Sequence, residues 1–236
     1  MAAAGLAAVG GAALVLQRLL APPSLPAGRV EEALVYISSS TDQWWNSKAG
    51  TRVKVTDFGL WSGATAVWHG VRAESGEIVS GTGYPALVIR VPRVDAYHDL
   101  PSPPPWSLPA AYSLFYDDPT RDLRIVAVMD RCPHLCCYPG WHVITDLPIP
   151  RDYAVYGAHP PTYEVYGQDP IWCICHDAQF DPLLLKADVN PHSQRTFPGA
   201  AVVHGPATWA LPLIPLRSVD DVLEGGMADV RWYSYC

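Results

Sequence analysis

No run of lysine or arginine occurs in the 236 residues, and 16 basic against 23 acidic side chains leave a net charge of -7. Affinity for a phosphate backbone rests on clustered cations, so this balance disfavours a nucleic-acid partner. There is no glycine-rich phosphate loop, and Gly81-Thr82-Gly83 is too short a signal to use as one. Internal repeats and low-complexity tracts are also missing, which leaves one good core, with or without an inserted subdomain, as the expectation for this length. Asp117-Asp118 and Asp220-Asp221 are paired carboxylates with no nucleophile or base placed beside them by a motif, and they read as solvated turns.

Helix-favouring charged residues are sparse, at 17% of the chain, whereas 24 prolines, 18 glycines, 9 tryptophans and 12 tyrosines are plentiful. That mix suits short strands joined by ordered loops and points to an all-β architecture. Strand-like runs cover residues 51–56, 86–91 (ALVIRV), 123–129 (LRIVAVM), 200–204, 208–214 and 230–235, with one helical turn expected at 218–223. The proline-rich stretch 101–109 cannot be a central strand and reads as an ordered surface connection. Residues 138–172 read as an inserted loop or small hairpin.

At the amino terminus, residues 2–21 carry only Gln17 and Arg18 as polar side chains. About 20 helical residues span roughly 30 Å, enough to cross a bilayer, so residues 1–21 are expected to form a hydrophobic helix serving as a membrane anchor. A cleaved signal or a peripheral helix stays open, because alanine and glycine supply little hydrophobic drive and no basic stretch precedes the run. Residues 22–30, dense in proline and glycine, read as a linker, leaving 31–236 as the folded domain.

The chemistry lies in two short clusters, Cys132-Pro-His134-Leu135-Cys136-Cys137 and Cys173-Ile-Cys175-His176. Cys-x-His places two side chains on one side of an extended loop, Cys-x-x-His does so on a tight turn, and two such loops together make a four-ligand site. Sulfur and nitrogen in equal number suit tetrahedral zinc, or an iron pair held by sulfur at one end and nitrogen at the other. His142, His159 and His192 lie near these clusters in sequence and read as surface or hydrogen-bonded loop histidines. Trp141, Trp172 and the tyrosines of the insertion read mainly as packing residues, with a docking face as the alternative.

These clusters closely resemble the two boxes of the Rieske iron-sulfur proteins of cytochrome bc and bf complexes, Cys-Thr-His-Leu-Gly-Cys and Cys-Pro-Cys-His-Gly-Ser. The family's Gly-Pro-Ala loop is matched by Gly205-Pro206-Ala207. The resemblance implies a Rieske-type antiparallel β-sandwich with a cluster-binding subdomain at about 130–181. It further implies a 2Fe-2S cluster with Cys132 and Cys173 on one iron, His134 and His176 on the other, a Cys137–Cys175 disulfide, and shielding by Leu135 and Gly205-Pro206-Ala207. The function it implies is quinol oxidation beside a cytochrome b subunit, with His176 and His134 at the reacting end and a cytochrome c or copper protein as acceptor. It sets the domain on the extracytoplasmic side of a membrane. The small subunit of an arsenite-oxidase-like molybdenum enzyme is the alternative, and a zinc-stabilised extracellular module stays open as a further class.

Three departures stand out. Ala178 and Phe180 replace the family's serine and tyrosine, which donate hydrogen bonds to a cluster sulfide and to a ligand cysteine, so a lower reduction potential is expected. Cys136 replaces a glycine, which puts the local turn in doubt. With the ligands and the usual disulfide assigned, Cys136 and Cys236 remain, either as a second disulfide or as two separate thiols.

Overall fold

The computed structural model describes residues 28–93, 100–140 and 171–236. The expected hydrophobic helix at 1–21, most of the linker, Trp141, His142, His159 and most of the insertion lie outside the described residues. Among the described residues no helix is long and apolar enough to cross a membrane.

Thirteen antiparallel-paired strands and three single 3-10 turns make up the described regular structure. In chain order the strands are β1 Arg29–Val30, β2 Val35–Tyr36, β3 Gly63–Trp68, β4 Val71–Arg72, β5 Tyr84–Val91, β6 Tyr116–Asp118, β7 Leu123–Met129, β8 Ile171–Cys173, β9 Ala178–Asn190, β10 Arg195–His204, β11 Leu211–Pro212, β12 Leu216–Val219 and β13 Val222–Gly225. A five-stranded sheet runs β2-β3-β5-β7-β6, a four-stranded sheet runs β11-β10-β9-β8, and β1-β4 and β12-β13 are small pairs. This is the all-β architecture that the composition led us to expect, arranged as a sandwich.

Strands β5 and β7 form the centre because their side chains are apolar on both faces. Ala86 and Val88 of β5, with Ile125 and Ala127 of β7, enter one core beside Trp68, Trp232 and Tyr233. Leu87, Ile89, Val126 and Val128 enter the other core, where they meet Phe180, Leu183, Leu185 and Val202 from the second sheet and Leu213 just after β11. Alternation about the pleat thus assigns successive residues to opposite cores. Burying each such leucine or phenylalanine contributes about 2 kcal/mol. The second core continues to Cys132, Cys173, Ala178 and Ala207, so the layer between the sheets also supports the cysteine loops.

Several local expectations need correction. Residues 218–223 form the β12-β13 hairpin, with Asp220 and Asp221 at positive φ in its two-residue turn, in place of a helical turn. Residues 230–235 do not close a sheet, and Val230–Trp232 is a 3-10 turn. Asp117 and Asp118 belong to β6 and are ion-paired with Arg93, Arg124 and Arg121, so they are not solvated turn residues. The 51–56 run makes isolated bridges at Arg52 and Lys54 before a 3-10 turn at Val55–Asp57, and 208–214 shortens to β11. Strand β9 runs on through the 181 boundary, with a register irregularity beside Ala200 and Ala201.

Candidate metal centre

Strand β7 is buried along its length and delivers the chain to Asp130, whose amide donates to the Pro85 carbonyl at 2.9 Å. The Gly140 amide donates to Asp130 Oδ1 at 2.8 Å, closing the base of the first loop. Burial pushes the Asp130 carboxyl up to about 6, against the pull of the Gly140 amide and Arg131. Within the loop the Cys136 amide donates to the Cys132 carbonyl at 2.9 Å and the Cys132 amide to the Cys137 carbonyl at 2.7 Å. Arg131 donates to the Cys136 carbonyl at 2.9 Å and lies 3.9 Å over the Tyr138 ring.

The second loop is the turn between β8 and β9, with Cys173 paired to Ala178 and the Asp177 amide donating to the Cys173 carbonyl at 2.9 Å. The third follows β10. Gly205 has a φ of 86, and a Cβ there would overlap the Asp177 carbonyl oxygen and lie 2.6 Å from Ala178 Cα. Only glycine allows that approach, so Gly205 fits against the back of the second loop. Pro206 is exposed, and Ala207 is buried in the core that holds Cys132 and Cys173.

Two disulfides tie these loops: Cys137–Cys175, with Cα atoms 6.6 Å apart, and Cys136–Cys236, at 5.6 Å. Of the two alternatives for Cys136 and Cys236, the disulfide is the one formed. Cys136 itself sits at a φ of 61, the left-handed region that glycine occupies at least cost. The Tyr235 hydroxyl donates to the Arg131 carbonyl at 2.8 Å, so the segment before Cys236 is fastened to the first loop twice.

Cys132 and Cys173 remain as free thiols, each 1% exposed. They hydrogen-bond to each other, which together with burial pushes the Cys132 thiol up, while the same bond pulls Cys173 down. The backbone amides of His134 and Leu135 act to pull the Cys132 thiol down, and those of Cys175 and His176 do the same for Cys173. Such amides favour sulfur in its negatively charged form. The rings of His134 and His176 meet edge to face, centroids 4.7 Å apart at 87°. His134 Nδ1 is buried with no hydrogen-bond partner.

An unpaired buried nitrogen costs about 1–3 kcal/mol, and native proteins seldom retain one without a use for it. Two buried thiols cradled by amides, two touching imidazoles and an unpartnered ring nitrogen are a donor set that fits a metal centre. Zinc and an iron-sulfur pair both take such donors. The sulfurs of Cys137, Cys173 and Cys175 also lie within 4.8 Å of one another, but two of these are joined in the disulfide. The loops that carry the histidines also expose apolar side chains, Leu135 at 62% and Ile174 at 60%. His176 is exposed and His134 is partly buried.

The structure brings together Cys132, His134, Leu135, Cys137, Cys173, Cys175, His176 and the Gly205-Pro206-Ala207 loop, all picked out in the sequence. It does not bring His192 to them, since that residue lies in the turn at the opposite end of the β9-β10 pair. Trp172 donates from Nε1 to Asp177 Oδ1 at 2.7 Å, a positional role that sequence reasoning did not anticipate. The contacts of Asp177 with Gln179 and His204 went unforeseen too, because they depend on strand register. Compared with family models and with curated proteins, the chain matches none.

Proposed function

We propose that this chain is a Rieske-type electron-transfer subunit that takes an electron from a quinol in a membrane cytochrome bc-type complex and passes it to a cytochrome c or copper-protein acceptor. The observation that carries the reading is the meeting of Cys132 and Cys173, both buried and free, with His134 and His176 across two loops joined by the Cys137–Cys175 disulfide. Cys132 and Cys173 would hold one iron of a 2Fe-2S cluster, and His134 and His176 the other. Such a cluster supplies a one-electron acceptor whose histidine ligands raise its potential above that of an all-sulfur centre.

The chain's own residues do the rest. His176 is exposed at the tip, where its imidazole can accept a hydrogen bond from a quinol hydroxyl and take up the proton. Leu135 and Ile174, exposed on the same two loops as His134 and His176, offer apolar surface that suits a lipid-soluble donor. The amides of His134, Leu135, Cys175 and His176 favour the cysteine sulfurs in their negatively charged form. Two disulfides support a site outside the reducing cytosol. An anchor at 1–21 and a linker at 22–30 would tether the domain at the membrane surface.

Purification of the native protein from membranes tests the assignment. Copurification with a b-type cytochrome, and about two irons and two acid-labile sulfides per chain, is expected. A large molybdopterin subunit in its place would shift the reading to the arsenite-oxidase-like class. Zinc without iron would remove the redox function.

A further inference from the structure

Asp177 follows His176 directly and sits at a φ of 61, a left-handed conformation that aspartate tolerates better than most residues. Its carboxylate joins three strands. Oδ1 accepts from Trp172 Nε1 of β8 at 2.7 Å and from Gln179 Nε2 of β9 at 3.2 Å. Oδ2 lies 3.2 Å from His204 Nε2, at the end of β10 where the Gly205-Pro206-Ala207 loop begins. Its backbone is fixed as well, the amide donating to the Cys173 carbonyl and the carbonyl pressed against Gly205. Every contact of this side chain therefore ties the turn bearing His176 to the elements behind it.

We propose that Asp177 is a positioning residue of the metal centre, clamping the His176 turn to the third loop through Trp172, Gln179 and His204 and setting a carboxylate one residue after the imidazole it holds in place. The proposal rests on the cluster reading above. A carboxylate held beside a group that becomes more negative on reduction disfavours the reduced form, so Asp177 lowers the midpoint potential. This acts in the same direction as the loss of hydroxyl donors at Ala178 and Phe180, and it does so through charge and placement.

The test compares Asp177→Asn and Asp177→Gly with the parent 236-residue chain. Asparagine keeps an oxygen acceptor for Trp172 and Gln179 and accepts the left-handed backbone, but carries no charge. Glycine keeps the backbone and removes the clamp. In redox titrations of the cluster-loaded proteins, Asp177→Asn is expected to raise the midpoint while leaving the electron paramagnetic resonance line shape as in the parent. Asp177→Gly is expected to raise the midpoint and also alter the line shape. In the metal-free, disulfide-intact chain, solvent exchange of the Trp172 indole proton, followed by nuclear magnetic resonance, is expected to be several-fold faster in Asp177→Gly than in the parent. An unchanged midpoint in Asp177→Asn would overturn the charge role, and equal indole exchange would overturn the clamp. Should the parent hold no iron, the cluster reading fails, and the indole measurement still decides the clamp.

Discussion

His134 and His176 meet edge to face with ring centroids 4.7 Å apart, one from the loop that follows β7 and the other from the turn between β8 and β9. Nothing in the chain's local geometry requires that meeting. It results from β7 and β9 lining the same core from opposite sheets and from the Cys137–Cys175 disulfide drawing the loop tips together.

Ala178 and Phe180 are both fully buried, Ala178 at the first residue after the second loop. Ala178→Ser combined with Phe180→Tyr should add two hydroxyl donors on that side and stabilise the reduced centre. A rise in midpoint potential is the expected result of a redox titration. No rise would show that those positions do not govern the potential.

Gly205 packs against the backbone of Asp177 and Ala178 at a φ of 86. Gly205→Ala should cost about 1–2 kcal/mol from the left-handed backbone alone, and more from the overlap with the Asp177 carbonyl. Its denaturation midpoint should fall and the isolated protein should lose iron, measured by metal analysis. Retention of both would separate this loop from the centre.

The Cys136–Cys236 disulfide closes a separation of 100 residues. Removing it should lower stability by about 2–5 kcal/mol in urea unfolding under nonreducing conditions. Cys136→Gly with Cys236→Ser should be about 1 kcal/mol more stable than Cys136→Ser with Cys236→Ser, because glycine relieves the positive φ at 136. Equal stability of the two double variants would argue against strain at this turn.

Arg93 holds the Asp117 carboxyl below its ordinary range with two hydrogen bonds of 2.8 and 2.9 Å, against the effect of burial, and Arg124 assists at 3.0 Å. A carboxyl depressed in the folded state binds its proton more weakly there than in the unfolded chain. Its contribution is therefore present above the unfolded pKa near 4 and is lost as pH falls through the folded value. Asp117→Asn should cost about 2 kcal/mol at neutral pH, since it weakens a pairing with the 4% exposed Arg124. The difference from the parent should shrink below about pH 4 in acid titrations of stability. A difference that is constant with pH would contradict it.

Much of the site was legible in the residues themselves. Cys132, His134, Cys173 and His176 stand in two compact boxes, and Gly205-Pro206-Ala207 is a third local string. Strand β7 was legible end to end because every position but Arg124 is apolar and it is buried on both faces. Asp220-Asp221 was read correctly as a turn, but residues 218–223 around it were misread as helical, since two aspartates at positive φ form a hairpin turn that carries none of the usual glycine or asparagine marks. Residues 230–235 were misread as a strand because Trp232 and Tyr233 are buried by packing on the core, with no sheet partner to call for extended backbone. The Asp177 clamp was invisible because Trp172, Gln179 and His204 reach it only through the register of β8, β9 and β10.

The measurement that bears most directly on the central claim is pulsed electron paramagnetic resonance of the dithionite-reduced protein. A reduced iron pair with hyperfine couplings from two imidazole nitrogens, lost on replacing His134 or His176, is the expected result. Absence of a paramagnetic iron signal, or a signal without nitrogen coupling, would contradict the assignment of Cys132, His134, Cys173 and His176 as its ligands.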